Sequence, residues 1–388
     1  MQGTLDADGT VRLGGDARQR FYDSSGYGRP TGGDGLELAP VEAAHLLQRG
    51  DLDAVVADGK ELDFRAFLAR TGAVLAFVVY KDLRDRGFYL SPAGREAESA
   101  NTDADAVADA DATADFVVYP RGSGPWDDEV AYRVRVVGER ESILVRTLGD
   151  VVLAIVDEDG ELTYFETARE TPGGTLDADP PAGLVGTLLA DRVLVWEPPD
   201  ALYEDHFYGQ RLYGRNADAG PIQLSLVEAA HLARRGALTV VDGENGTGNG
   251  EVNDNGEVDG DGTGTADVND AGDAGDAAVA VVARGRDVEG DRFDRRLRAY
   301  TAIRAAGGVP KSGFKFGADF RVYESFSTVS ELSHSDSLVR VVPRGHAALP
   351  RDLSLDVRLA GGVRKRMVFA LTDANGGVDW LSAARLTP

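Results

Sequence analysis

Apolar positions along this chain keep helical spacing first and strand spacing afterwards, and they do so twice. Val41 to Arg49 carries apolar residues at helical intervals and stops before Gly50, a C-terminal stop signal. Phe64 to Arg86 and Phe293 to Ala306 read as a second helix in each half. Further on, Phe116-Val117-Val118-Tyr119, Tyr132 to Val137 and Leu338 to Val342 alternate as strands do. The pattern predicts an α+β protein. Each half is a small helix-plus-sheet unit followed by an α/β unit with a mixed sheet.

Self-comparison shows that the halves are copies. Tyr27-Gly28-Arg29 followed by Val41-Glu42-Ala43-Ala44-His45-Leu46 recurs as Tyr213-Gly214-Arg215 followed by Val227-Glu228-Ala229-Ala230-His231-Leu232, at one common offset. Ala114-Asp115-Phe116-Val117-Val118-Tyr119 answers Ala318-Asp319-Phe320-Arg321-Val322-Tyr323, and Val152-Leu153-Ala154 answers Val368-Phe369-Ala370. Pro180-Pro181 and Gly183 mark the junction. The predicted divisions are 1–90, the N-terminal unit of repeat 1; 91–115, an acidic insertion; 116–174, its second unit; and 175–184, a linker. Repeat 2 then has its N-terminal unit at 185–306, with an acidic insertion at 243–278, and its second unit at 307–388.

Residues 243–278 hold ten carboxylates with no lysine or arginine, and 96–115 hold seven in an Asp-Ala run. Neither stretch can bury enough apolar surface to offset chain entropy, so both are expected to be disordered surface insertions. The first is rich enough in Asp, Asn and Gly to suggest calcium, yet no stretch completes the EF-hand spacing or the nonapeptide repeat.

Composition narrows the chemistry. With no cysteine in 388 residues, a disulfide framework, a thiolate nucleophile and a cysteine-ligated metal are all excluded. No apolar run approaches the roughly 20 residues that cross a bilayer, and the start lacks a basic, then apolar leader, so the chain reads as soluble and cytoplasmic. A formal charge of −24 ordinarily argues against a polyanionic partner. However, only five of the 41 basic residues are lysine, a balance that suggests adaptation to molar salt. At about 1 M salt the Debye length is near 3 Å, so net charge barely repels RNA and long-range attraction is equally weak. Recognition there must rest on stacking, shape and hydrogen bonds. Three of the five lysines (Lys311, Lys315 and Lys365) fall together in the last quarter.

That quarter carries the candidate chemistry. Tyr323 closes Phe314-Lys315-Phe316-Gly317-Ala318-Asp319-Phe320-Arg321-Val322-Tyr323, His334 opens His334-Ser335-Asp336-Ser337, and Lys365 sits in Val363-Arg364-Lys365-Arg366. RNA supplies its own nucleophile, the 2′-OH. The protein must remove that proton, stabilise the phosphorane and protonate the leaving 5′-oxygen. A phenol helped by a cation suits the first task, an ammonium the second and an imidazole the third. No metal and no other cofactor is called for. Each residue also has an ordinary reading: a strand-end core tyrosine, a loop or cap histidine, and a lysine on a solvated basic face.

The ordered set resembles the archaeal tRNA-splicing endonucleases of the two-repeat, homodimeric type, over essentially the whole chain apart from the insertions. That family carries Phe-Arg-Val-Tyr-Glu, then His-Ser, then a lysine in a Val-Arg-Lys context, as Phe320 to Glu324, His334-Ser335 and Val363-Arg364-Lys365 do here. Asp336-Ser337 departs from the usual Glu-Tyr. The resemblance implies Tyr323, His334 and Lys365 as catalytic residues and precursor tRNA, not DNA, as partner. It implies cleavage at both junctions of a bulge-helix-bulge, leaving 2′,3′-cyclic phosphate and 5′-OH ends. In the first half Tyr119 matches Tyr323, but Glu129 and Gly149 fall where His334 and Lys365 would, so that copy is expected to be inactive. The resemblance further implies a homodimer in which the acidic loop Asp157-Glu158-Asp159 docks beside the partner's active unit, although alone that loop reads as an Asp-Gly hairpin turn. It also implies a base clamp from Arg358 with Trp380, where Trp380 otherwise reads as strand-end core. The reading from another class is a non-catalytic RNA-binding or assembly subunit.

Overall fold

The computed structural model describes residues 1–93, 114–127, 129–177, 179–214, 219–243 and 274–388. Most of both expected acidic insertions, and Arg215 of the second Tyr-Gly-Arg motif, lie outside these residues. The chain forms two compact units. One comprises Met1–Arg169, Gly345–Val363 and Leu381–Pro388; the other comprises Glu170–Arg344 and Arg364–Trp380. The units therefore do not follow the repeats, because two late segments of repeat 2 belong to the first unit.

In the first unit a six-stranded sheet carries the helix Pro40–Arg49. Buried Glu42 fixes the helix start, accepting from the backbone N–H of Ala39 and of Gly28, both at 2.7 Å. Gly50, with φ +77°, ends the helix. The single helix expected over Phe64 to Arg86 is two, Phe64–Thr71 and Val74–Asp85. Gly72 divides them at φ +66°, its N–H on Leu68 O. Beyond these helices, Tyr132–Gly138 and Val152–Val156 pair in parallel, and Leu162–Ala168 pairs antiparallel to Val152–Val156.

The second unit repeats the plan. A five-stranded sheet carries the helix Leu226–Arg234, capped by Ser225 and Glu228. Glu228 accepts from the N–H of Gly209 and of Ser225, each at 3.0 Å, as Glu42 does from Gly28 and Ala39. This correspondence corrects the sequence match. The counterpart of Tyr27-Gly28 is Tyr208-Gly209, not Tyr213-Gly214. Tyr27 stacks on His45 with ring centroids 5.9 Å apart and Tyr208 stacks on His231 at 6.2 Å, whereas Tyr213 is 73% exposed. Backbone crowding explains the choice. A Cβ on Gly28 or on Gly209 would come within 2.5 Å of the neighbouring strand's carbonyl, at Glu37 or Gln223, while Gly214 has open space.

A second correction concerns the edges of the acidic insertions. The strand Leu90–Pro92, paired with Phe116–Val118, runs two residues into the expected 91–115 stretch. Ala274–Glu289 is a helix whose first turn falls inside 243–278. Ala277, inside that stretch, and Val281 and Val282, just past it, bury the helix's inner face. After Gly290 a further helix, Asp291–Ala305, lays Phe293, Leu297, Tyr300 and Ile303 on the mixed sheet of Val309–Ser312, Phe320–Tyr323, Ser337–Pro343 and Arg366–Thr372.

Candidate functional site in the second unit

Three neighbouring strands of that sheet end at one edge, and the catalytic candidates stand there. In register, Val322 faces Ser337 and Ser337 faces Arg366. Tyr323 at the end of one strand, Asp336 just before the next and Lys365 just before the third are thereby aligned across the sheet. Asp336 ties the edge together. Its N–H donates to Val322 O at 2.8 Å, its carboxylate accepts from Glu324 N at 2.8 Å, and its carbonyl accepts from Arg366 N at 3.1 Å. Asp336, where the resemblance expected Glu, thus bonds the backbone directly.

Lys365 donates its ammonium to the carbonyl of Ser335, the residue after His334. Partial burial pulls its pKa below 10.5, Asp336 opposes that shift, and Arg321 adds to it. His334 is exposed in the loop leading to the strand, so its imidazole is open to a substrate. Tyr323 is 3% exposed, its ring 5.8 Å from that of Phe207. Sequence reasoning missed Arg321, whose guanidinium lies 5.6 Å from the Tyr323 ring centroid. Two residues apart on a strand, the pair shares one face, and that spacing was the available signal. Arg321 supplies a cation beside the Tyr323 ring. Lys311, by contrast, is no RNA-facing lysine: it is buried in an ion pair with Glu228.

The matching positions of repeat 1 are occupied differently. Tyr119 is buried and donates its hydroxyl to Ser91 Oγ at 3.0 Å. Glu129 is exposed, within 3.4 Å of Ser123 Oγ. Gly149 has φ +144°, and a Cβ there would meet the Arg169 side chain at 2.9 Å. The Asp157-Glu158-Asp159 loop is a tight hairpin turn. Asp157 accepts from the N–H of Asp159 and Glu161, and Glu158 pairs with Arg140, while Asp159 is exposed. Arg358 is exposed on the helix Pro350–Gly362 and lines a cavity of about 860 Å3 with Phe165, Leu355 and Arg385. Trp380 is 8% exposed and belongs to the hydrophobic core of the second unit, and the clamp's two residues fall in different compact units.

Comparison with known proteins assigns the class. The domain described as "tRNA intron endonuclease, catalytic C-terminal domain" matches residues 293–380, which include Tyr323, His334 and Lys365. The N-terminal domain of the same family matches twice, at 1–68 and 184–252, as a duplication requires. The chain is 62% identical over 388 residues to a tRNA-splicing endonuclease of Haloferax volcanii, covering all of both chains. It is 54% identical over 393 residues to one from Natronomonas pharaonis, again covering all of both. With one from Methanosarcina mazei it shares 35% over 395 residues, 97% of this chain and 96% of that one. The chain belongs to the tRNA intron endonuclease family and is an endoribonuclease, which removes the non-catalytic alternative. Among the described residues no helix is long and apolar enough to cross a membrane.

Proposed function

We propose that this enzyme splices precursor tRNA in the cytoplasm by cutting both exon–intron junctions of a bulge-helix-bulge. The alignment of Tyr323, the His334 loop and Lys365 at one edge of three adjacent strands carries the reading. Tyr323, with Arg321 beside its ring, takes the proton of the 2′-OH. The freed 2′-oxygen attacks phosphorus while Lys365 balances charge on the non-bridging oxygens. The bond from phosphorus to the 5′-oxygen breaks, and His334 gives that oxygen its proton. The ends are a 2′,3′-cyclic phosphate and a 5′-OH.

Only the second repeat carries the full set, so two cuts call for two chains and the working form is a homodimer. Asp157-Glu158-Asp159 is assigned to docking on the partner. Arg358 is assigned to gripping a bulged base, and Trp380 can join it only if the indole turns out of its core. The test is incubation of bulge-helix-bulge RNA with EDTA in molar salt. Paired cuts with 5′-OH ends are expected. Intact RNA, or a 5′-phosphate, refutes the mechanism.

A further inference from the structure

Phe314 is 87% exposed, more than any other large hydrophobic side chain among the described residues. It sits at the tip of the hairpin joining Val309–Ser312 to Phe320–Tyr323, in the single turn Phe314–Phe316. This exposure does not come from a loose loop. Phe316 N–H donates to Gly313 O at 2.8 Å, Gly317 N–H to Phe314 O at 3.1 Å, and Gly313 N–H to Asp319 O at 3.1 Å. Gly317 ends the turn at φ +68°, and Arg340 donates to its carbonyl at 3.2 Å. A Cβ on Gly313 would come within 2.8 Å of Ala318 O, so the close crossing of the two strands needs that glycine.

The turn reaches the candidate chemistry through Phe316. Phe316 is half-buried with its ring centroid 5.8 Å from the Lys365 ammonium. Lys315, between the two phenylalanines, is exposed. A free aromatic face, a free ammonium and a second ring against the site lysine thus follow one another along a single rigid turn. Aromatic faces flanked by cations are how proteins hold unpaired bases, because every base has a π-face. Stacking is also the contact least weakened by molar salt, where ion pairing with the phosphate backbone fades.

We propose that Phe314 is a stacking platform for an unpaired base of the RNA substrate beside the cleaved bond, with Lys315 bracing the adjoining phosphate. The inference rests on the reading of Tyr323, His334 and Lys365 as the cleavage site. The test uses bulge-helix-bulge RNA with 2′-deoxy sugars at the cleaved positions, which blocks cutting, and 2-aminopurine placed in turn at each bulge position. Wild type, Phe314→Ala and Phe314→Trp are titrated in molar KCl, with sedimentation to follow oligomeric state. Wild type should quench the probe at one position. Phe314→Ala should lose that quenching and bind about tenfold or more weakly, the size of one lost base–aromatic stack. Phe314→Trp should keep both. Equal binding and quenching by wild type and Phe314→Ala overturns the proposal alone. So does a changed oligomeric state in Phe314→Ala, which would make the ring an interface between copies. Failure of the wild type to bind the bulged RNA overturns this inference and the splicing function together.

Discussion

Lys311→Met should destabilise the second unit by about 3–5 kcal/mol, the cost of breaking a buried ion pair by removing one partner. The structure explains why the value should be high. The two side chains are 9% and 8% exposed, and Lys311 Nζ stands 2.6 Å from Glu228 Oε1. The ammonium also donates to Gly209 O at 2.8 Å and Phe207 O at 3.2 Å, so its loss strands two carbonyls as well as a carboxylate. Methionine keeps most of the stem's apolar contact, which isolates the charge. Burial pushes the Glu228 pKa up, but Lys311 and the backbone N–H groups outweigh it and hold the carboxyl below 4.5. Stability from this depressed carboxyl is fully present above the unfolded value and is lost as pH falls through the folded one. In Lys311→Met burial is no longer opposed by the lysine, so this acid-dependent loss should shrink or reverse, protonation of Glu228 then relieving part of the damage. The assay is urea unfolding of wild type, Lys311→Met, Glu228→Gln and the double variant at two molar-range KCl concentrations. Burial shields the pair from salt, so the coupling should be the same at both. A loss under about 1 kcal/mol, or a coupling that fades with salt, would mean a solvated pair and would refute the reasoning.

His334→Ala should slow cleavage by about 10²–10⁴-fold, measured in single turnover, and leave the dimer intact by sedimentation. Glu129→Ala should leave the rate unchanged; a large loss there would contradict an inactive first repeat. Because burial lowers the Lys365 pKa, the rate should fall on the alkaline side at a pH below 10.5 as the ammonium is lost. In Lys365→Arg any remaining activity should lack that limb, since guanidinium stays charged. Burial, chiefly, depresses His45 to about 4 from 6.5. The unfolded chain therefore takes up a proton that the fold refuses, and between pH 6.5 and 4 the first unit should lose roughly 3 kcal/mol. His45→Gln should flatten that slope in a pH series of unfolding curves.

The candidate site has a linear pattern in sequence because Tyr323 ends one strand, Lys365 immediately precedes another, and His334 lies in the loop before Ser337–Pro343. Arg321 did not show itself, because its place depends on which face of a strand it shares with Tyr323, and with Val322 between them the run reads as ordinary alternation. The Tyr27 match failed for a related reason. Tyr213-Gly214-Arg215 is the better match in letters, but what the fold requires is a glycine that lets two strands approach and a tyrosine that stacks on the helix histidine. Tyr208-Gly209 meets both needs at a different offset. Composition misled in the same way at the edge of the acidic insertion. The helix Ala274–Glu289 starts before the acidic composition ends, and Ala277 packs with Val281 and Val282 just past the stretch. Lys311 shows the converse error. Scarcity of lysine drew attention to every lysine near the site, and the one most tightly held by the fold points inward. In a protein built for molar salt an exposed lysine has little long-range work to do. Charged residues matter there where water is excluded or a ring is adjacent, as with Lys311 on Glu228 and Lys365 beside Phe316. Neighbours, not net charge, therefore separate Lys311, a structural cation, from Lys365, a candidate for function.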